Sequence, residues 1–255
     1  MNRELMEKPL VSIITPAYKC KNTIAETYES IKKQTFESWE WIVVEDNSGD
    51  GSFEFILNLV NSDERVKVLQ TSENSGAAVA RNIGIKNASG RFIAFLDSDD
   101  FFKPTKLEKQ ILFMENNGFA FSFTNYDVLL KDGTIKQHII KRDVIDYKTL
   151  LKSNYIGCLT VIYDVEKLGK VYMPVDCEKR EDHGAWLDIV RNGTNAFRLN
   201  ESLSIYRLAG SSVSSNKARM MKYQYRLYRN HEKFSVLKSC FYVILCSLHK
   251  VFNKY

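Results

Sequence analysis

The chain lacks most of the short signatures that assign function. Its five cysteines (Cys20, Cys158, Cys177, Cys240, Cys246) form no Cys-x-x-Cys pair and no regular spacing. That pattern argues against zinc ligation and disulfides and for reduced thiols of a cytoplasmic protein. The N-terminus has acids early and no apolar core of signal-peptide length, so secretion is not expected. No Gly-x-Gly-x-x-Gly follows the first apolar run, and no Gly-x-x-x-x-Gly-Lys-[Ser/Thr] occurs. Dinucleotide oxidoreduction and P-loop chemistry lose their support. There is no internal repeat or low-complexity tract. Acids are scarce in one region only. Of 36 Lys/Arg and 31 Asp/Glu, residues 217–255 hold nine and one, leaving 27 and 30 in residues 1–216. The tail is therefore +8 and the rest −3. This distribution excludes a nucleic-acid-binding body and suggests an anionic partner for the C-terminus alone.

What is present is a strand–helix alternation. Leu10–Thr15, stopped by Pro16, is a compact β-rich run, and Asn22 or Thr23 can cap a helix with Ile24, Tyr28 and Ile31 on one face. Trp41–Val44 is a second buried strand, ending at Glu45-Asp46 and a turn-rich Asn47–Gly51. Ser52 starts a helix with Phe55, Ile56 and Leu59 on one side. Val66–Leu69 is a third strand, Ala77–Asn87 a helix after the Asn74-Ser-Gly76 turn, and Phe92–Leu96 a fourth strand. Such alternation predicts an α/β fold with a Rossmann-like, mostly parallel sheet flanked by helices. At 255 residues the chain suits one enlarged domain, or one domain with an appendage.

Three of these strand ends carry polar signals: Thr15–Tyr18, Glu45-Asp46 and Asp97-Ser98-Asp99. Ligands of open α/β sheets bind at the C-terminal ends of the strands. Two carboxylates one residue apart make a hard oxygen site suited to Mg²⁺ or Mn²⁺ bridging to a diphosphate. A solvated acidic turn is the plain alternative for Asp97–Asp100.

Taken together, Val11-Ser-Ile-Ile-Thr-Pro-Ala-Tyr18, Ser30-Ile-Lys-Lys-Gln-Thr-Phe36, Val43-Val-Glu-Asp-Asn-Ser-Gly-Asp-Gly51, Asn74-x-Gly76, Ala80-Arg-Asn-x-Gly84, Gly90–Asp100 and Glu181-Asp182 resemble the family 2 inverting glycosyltransferases of the GT-A fold. These enzymes are common in bacterial polysaccharide assembly, and the resemblance covers roughly residues 9–215. It implies that Pro16, Ala17 and Tyr18 line a nucleoside pocket and that Asp46 accepts hydrogen bonds from a uracil edge. Gly76 would admit backbone close to the nucleotide, and Arg81 would contact it or order the acidic loop. Asp97 and Asp99 would form the Asp-x-Asp metal site for Mn²⁺ or Mg²⁺, Asp99 being the more direct ligand, with Ser98 in the nucleotide-contacting set. Asp182, with Glu181 second, would be the base that deprotonates the acceptor hydroxyl. Glu45 and Lys19-Cys20 depart from the family's usual Asp and Asn.

The second half is less patterned. Pro104 and Thr105 open a helix to about Asn117, Phe119–Asn125 reads as a strand, and Lys131–Thr134 as a hairpin turn between Tyr126–Leu130 and Ile135–Ile140. Ile156–Tyr163 is predicted to be a strand. Glu181-Asp182 opens an amphipathic helix, where an acid pair also has a capping explanation. His183 is read as a partly exposed, non-catalytic residue. By the resemblance, Arg207 binds a phosphate oxygen, joined by Ser211 or Ser212, as the serine-rich run closes on the diphosphate. A simple linker is the alternative.

Residues 217–255 form the C-terminal helical appendage to the 1–216 catalytic domain. Arg219, Lys222, Arg226, Arg229 and Lys233 recur at helical spacing as one basic stripe. The 11 residues between Lys238 and Lys250 carry no formal charge. They span about 17 Å, short of the roughly 30 Å hydrocarbon core of a bilayer. This stretch suits an anionic membrane interface or, alternatively, a helix packed on the catalytic domain or in a homodimer. The expected protein is cytoplasmic and peripheral on the inner face of the cell membrane. It would transfer a hexose, glucose or galactose, from a UDP-sugar to a GlcNAc- or GalNAc-diphosphate-lipid in O-antigen or capsule synthesis. Another acceptor, such as teichuronic acid or a protein glycan, is the alternative. A nucleotidyltransferase or a non-catalytic sugar-nucleotide-binding protein are the rivals from other classes.

Overall fold

A computed structural model describes residues 9–208 and 217–252. Strands β1 (Val11–Ala17), β2 (Trp39–Glu45), β3 (Val66–Gln70) and β4 (Phe92–Phe95) alternate with helices α1 (Ile24–Lys32), α2 (Ser52–Leu59) and α3 (Ala77–Asn87). The strands pair in parallel in the order β3-β2-β1-β4. Helices cover both faces, which is why these strands read as continuous apolar runs. Val11, Ile13 and Trp41 meet Ile24, Tyr28 and Ile31 on one side. Ile14, Ile42 and Phe95 meet Ala80 and Ile85 on the other. α2 departs from expectation: Ser52 and Ile56 turn inward while Phe55 is 37% exposed.

The chain continues through β5 (Phe101–Phe102), α4 (Lys106–Asn117), β6 (Phe121–Leu129), β7 (Ile135–His138), β8 (Val144–Ile145), α5 (Tyr147–Lys152), β9 (Ile162–Asp164), α6 (Val165–Leu168), α7 (Glu181–Arg191) and β10 (Ala196–Arg207). The sheet extends as β4-β9-β6-β10-β5, with β9 antiparallel to both neighbours and β10 parallel to β6. β6 and β7 form the hairpin predicted around Lys131–Thr134. The strand predicted at Ile156–Tyr163 is shorter: only Ile162–Asp164 is extended, and Cys158–Thr160 is a turn of 3₁₀ helix. The reason is polar. The Thr160 carbonyl accepts from Lys106 Nζ at 3.3 Å and Gln110 Nε2 at 2.9 Å, both fully buried side chains of α4, instead of from a neighbouring strand.

The tail is not one helix. α8 (Lys217–Arg226) passes into a π-helical turn, Leu227–His231, and after a bend at residues 232–235 the chain resumes as α9 (Val236–Phe252). Lys233 is left-handed at the bend (φ 55°). Arg229 turns in to donate to the Phe234 carbonyl, so the basic stripe continues only to Arg226 as a helical row. The inner side packs on the catalytic body. Tyr228 Oη donates to the Leu151 carbonyl at 2.6 Å, and Glu232 accepts from Tyr147 and Arg191. Ser211, Ser212 and the rest of the 209–216 run lie outside the described residues.

Burial pushes the Lys106 amine down to about 7. Between that value and the ordinary lysine value, the unfolded chain binds a proton that the folded one does not, so this group's contribution to stability rises with pH there and is flat below about 7. The stability difference between the wild type and Lys106→Met is expected to change by up to about 1.4 kcal/mol per pH unit across that window, Met being favoured most at low pH. Urea unfolding from pH 6 to 10 measures it.

Candidate functional site

The C-terminal ends of β2, β1 and β4 lie side by side along one edge of the sheet, as the polar strand ends predict. The Asp46 amide donates to the Ala17 carbonyl at 2.8 Å, locking the first two ends together. Pro16 and Ala17 finish β1, and Tyr18 projects with 47% of its surface exposed. Lys19, which follows, is left-handed (φ 50°), a conformation that asparagine adopts with less strain. The departure from the family's asparagine thus falls where it costs backbone energy rather than chemistry. Glu45, the other departure, is wholly buried and accepts from the Ser48 amide at 3.0 Å and Gln70 Nε2 at 3.0 Å, so it shapes the turn after β2.

Asp46 is buried and builds the neighbouring turn. Its carboxylate accepts from Thr71 Oγ1 (2.9 Å), the Ser75 amide (3.0 Å) and the Gly76 amide (2.7 Å). These bonds leave about one of its four lone-pair positions for a nucleobase. Gly76 has φ 86° and ψ 163°, which a side chain would not tolerate, and it leads directly into α3. α3 lies tight on β1 because Gly84 has no Cβ; one built there would stand 2.5 Å from Ile14 Cγ2.

That close approach places Arg81. Its buried guanidinium donates from Nη2 to Asp97 Oδ1 at 2.6 Å and from Nη1 to Glu181 Oε1 at 3.3 Å. One cation thereby joins the acidic turn after β4 to the first turn of α7, which are 84 residues apart in sequence by their numbers. Of the two roles open to Arg81, ordering the acidic loop is the one made in this structure.

The turn itself is crowded with negative charge. Burial, then the Asp97 charge, raises the Asp99 carboxyl. Asp100, 1% exposed, is pushed well above the carboxylate range by burial and by the charges of Asp97 and Asp99. Its role is structural, because Oδ1 accepts from the Arg207 amide at 2.9 Å and so pins the end of β10 to the turn. The Arg207 guanidinium lies over the Phe101 ring, donates to the Asp99 carbonyl at 3.2 Å and pairs with Glu26. Three carboxyls faced by two arginines leave the turn short of positive charge. Asp97 Oδ2 and Asp99 are oxygen donors of the hard type that Mg²⁺ and Mn²⁺ take, so the residues present fit a divalent cation.

At the start of α7 the two acids are differentiated. Glu181 is held by Arg81. Asp182 accepts from Asn154 Nδ2 at 3.0 Å through Oδ2 and from the His183 amide at 2.7 Å through Oδ1. Burial, then the Glu181 charge, raises its carboxyl. Neither acid caps the helix, since Arg180 occupies the cap position without a side-chain cap bond, but both sit in the first turn, where the helix dipole favours them. His183 is fully buried, not partly exposed: Nε2 faces the Leu150 carbonyl at 2.8 Å and Nδ1 faces Gln224 Nε2 at 3.3 Å. The carbonyl only accepts, so Nε2 carries the proton and Nδ1 receives the amide's. The imidazole anchors α8. Sequence reasoning missed Asn154, which has no local signature. It also missed the half-buried Cys158, whose thiol feels the charges of Arg81, Asp97, Asp182 and Glu181.

Comparison with known proteins follows the same residues. Residues 12–166 match the family described as Glycosyl transferase family 2. The chain is 43% identical over 237 residues to the putative teichuronic acid biosynthesis glycosyltransferase TuaG of Bacillus subtilis (strain 168), covering 92% of this chain and 94% of that one. It is 40% identical over 221 residues to WfgD of Escherichia coli, a UDP-Glc:alpha-D-GlcNAc-diphosphoundecaprenol beta-1,3-glucosyltransferase, covering 86% and 85%. Residues 1–349 of S. aureus TarS in complex with UDP superpose with a TM-score of 0.70 at 20% identity, covering 96% of this chain and 72% of that one. That likeness is one of fold, the GT-A fold.

Replacing Arg81 by Met strands Asp97 and Glu181 without their shared partner. The expected loss is roughly 3 kcal/mol of stability, read from urea denaturation, with Lys recovering only part because it lacks the two-pronged geometry.

Proposed function

The chain belongs to glycosyl transferase family 2, and from that premise we propose that it is a metal-dependent, inverting hexosyltransferase. In this reading it moves glucose from UDP-glucose to a GlcNAc-diphosphate-lipid in cell-envelope polysaccharide synthesis. The observation that carries the proposal is the Arg81 bridge, which sets an acidic turn suited to a diphosphate-bound cation beside a helix start carrying a separately held carboxyl. The roles then divide. Tyr18, Pro16, Ala17 and the Asp46–Gly76 turn receive the nucleoside. Asp97 and Asp99 would hold Mn²⁺ or Mg²⁺, which when bound neutralises the diphosphate as it leaves. Arg207 is placed to exchange Glu26 for a phosphate oxygen.

Asp182 is the base. Its carboxylate takes the proton of the acceptor hydroxyl while that oxygen bonds to the anomeric carbon and the bond to UDP breaks. Attack from the face opposite the leaving group inverts the configuration. Asn154 steadies one carboxyl oxygen, and a raised carboxyl is a stronger base than an ordinary one. Glu181, committed to Arg81, is less able to serve.

The glucosyl donor and the lipid-diphosphate acceptor take their support from WfgD. TuaG, at slightly higher identity, favours a second reading in which the acceptor is a teichuronic acid intermediate. A panel of UDP-Glc, UDP-Gal, UDP-GlcNAc and UDP-GalNAc with a synthetic GlcNAc-diphosphate-lipid and Mn²⁺ separates them. Turnover with UDP-Glc is expected, and silence on every combination would move the acceptor to the second reading.

Asp182→Asn is expected to lower kcat by roughly 100- to 10,000-fold with little change in KM for the donor. Because Asp182 is raised, the acidic limb of wild-type kcat should fall above the ordinary carboxylate value, with rate rising as pH increases and the proton leaves. Asp99→Ala should abolish stimulation by Mn²⁺, and full activity in that variant would sink the metal assignment.

A further inference from the structure

α9 has two apolar faces, and only one of them is covered. At 100° per residue, Leu237, Phe241, Ile244 and Leu248 fall within about 60° of one another. On the opposite side lie Ser239, Tyr242, Val243 and Cys246. Ser239, Val243 and Cys246 are buried, and Tyr242 stacks near Tyr228 (5.6 Å) and Phe234 (5.5 Å). The inner face is thus a finished contact with the chain's own body. The outer row stands out from it, Leu237 84% exposed, Phe241 56%, Ile244 57% and Leu248 50%. Val236, 54% exposed, precedes the row at the start of the helix. Isolated exposed leucines are ordinary, but a continuous row on one helix face marks an interaction surface.

We propose that this row seats the protein on an anionic lipid bilayer, with α9 lying flat in the boundary between headgroups and acyl chains. Charge selects the occupant. Lys233 at the bend is exposed, and the exposed Lys238 sits on the flank of the row with its Nζ over the Phe234 ring, 3.6 Å from the centroid. Lysines at such flanks bury their stems and lift their heads to phosphate level. Residues 217–255 carry a net +8, so a second copy meeting this face would bring like charge to like, whereas an anionic surface is complementary. The row is about 17 Å long, enough to lie in an interface. No helix among the described residues is long and apolar enough to cross a membrane. The two readings of the tail left open by the sequence are therefore not exclusive: one face packs on the catalytic domain while the other is presented outward.

The inference stands apart from the transfer reaction, since binding is read without catalysis. The full chain is floated with vesicles of phosphatidylcholine alone and with phosphatidylglycerol added, at low and high salt. Its solution mass is measured in parallel by light scattering. The wild type is expected to float with the anionic vesicles, less at high salt, and little with phosphatidylcholine alone. Phe241→Asp with Ile244→Asp should reduce flotation by about tenfold or more, as burial of two such side chains contributes at least that much. Because both residues are exposed, the urea midpoint should stay unchanged, which separates lost docking from lost folding. Equal flotation of the double variant, equal flotation on both vesicle types, or no flotation would overturn the proposal. So would a wild-type dimer that the same substitutions dissolve and that ignores vesicles, since the face would then belong to a second copy.

Discussion

The structure depends on one buried guanidinium. Arg81 reaches from the middle of α3 to a carboxylate of the acidic turn and to one at the start of α7. Those two segments come from different halves of the chain and serve opposite sides of the cleft's chemistry. Enclosing a guanidinium is costly unless carboxylates answer it, and an arginine fork is suited to serve two of them at once. Everything that brings α3 close to the sheet, above all the missing side chain at Gly84, therefore also sets the separation between the two acidic segments. The cleft is an outcome of packing before it is an outcome of charge.

Around that bridge, neighbouring carboxyls have been given unequal work. Asp100 is enclosed and ties β10 to the turn, Asp97 answers Arg81, and Asp99 is left raised with no strong donor of its own. At the other segment one oxygen of Glu181 meets Arg81, while Asp182 accepts from Asn154 and from the His183 amide. In both places neighbouring acids that look redundant in sequence are given different partners. The physical means are the same: burial raises one carboxyl, and a fixed cation pairs with its neighbour.

The parallel half was legible because its signals are local. A strand covered on both faces must be apolar throughout, so Trp41–Val44 and Phe92–Leu96 announce themselves, and their polar ends mark the cleft. Asp97, Asp99, Asp182 and the Gly76 turn were named on motif grounds; in the fold Arg81 links the Asp97 turn to the start of α7, and Asp46 holds the Gly76 turn. What was not legible depended on tertiary partners. Ile156–Tyr163 has the composition of a strand, yet Thr160 turns aside to meet the buried Lys106 and Gln110, and composition cannot distinguish a ladder carbonyl from one serving a side chain. The tail's basic spacing suggested an unbroken helix because Glu232–Ser235 holds no glycine or proline to mark the bend. Asn154 was invisible for a simpler reason: its value lies wholly in where Asp182 sits.

Among the described residues four non-glycine positions are left-handed, and three of them flank the cleft: Lys19 after Tyr18, Asn47 after Asp46, and Lys179 just before Arg180 and Glu181. A lysine in that conformation costs on the order of 1 kcal/mol or more. Relieving the strain at Lys19 or Lys179 with glycine would trade it for looser loops after β1 and before α7. A search for heat resistance that scored folding alone would be drawn to these positions first. Under the proposed roles, these loops are where stability and activity would be set against each other.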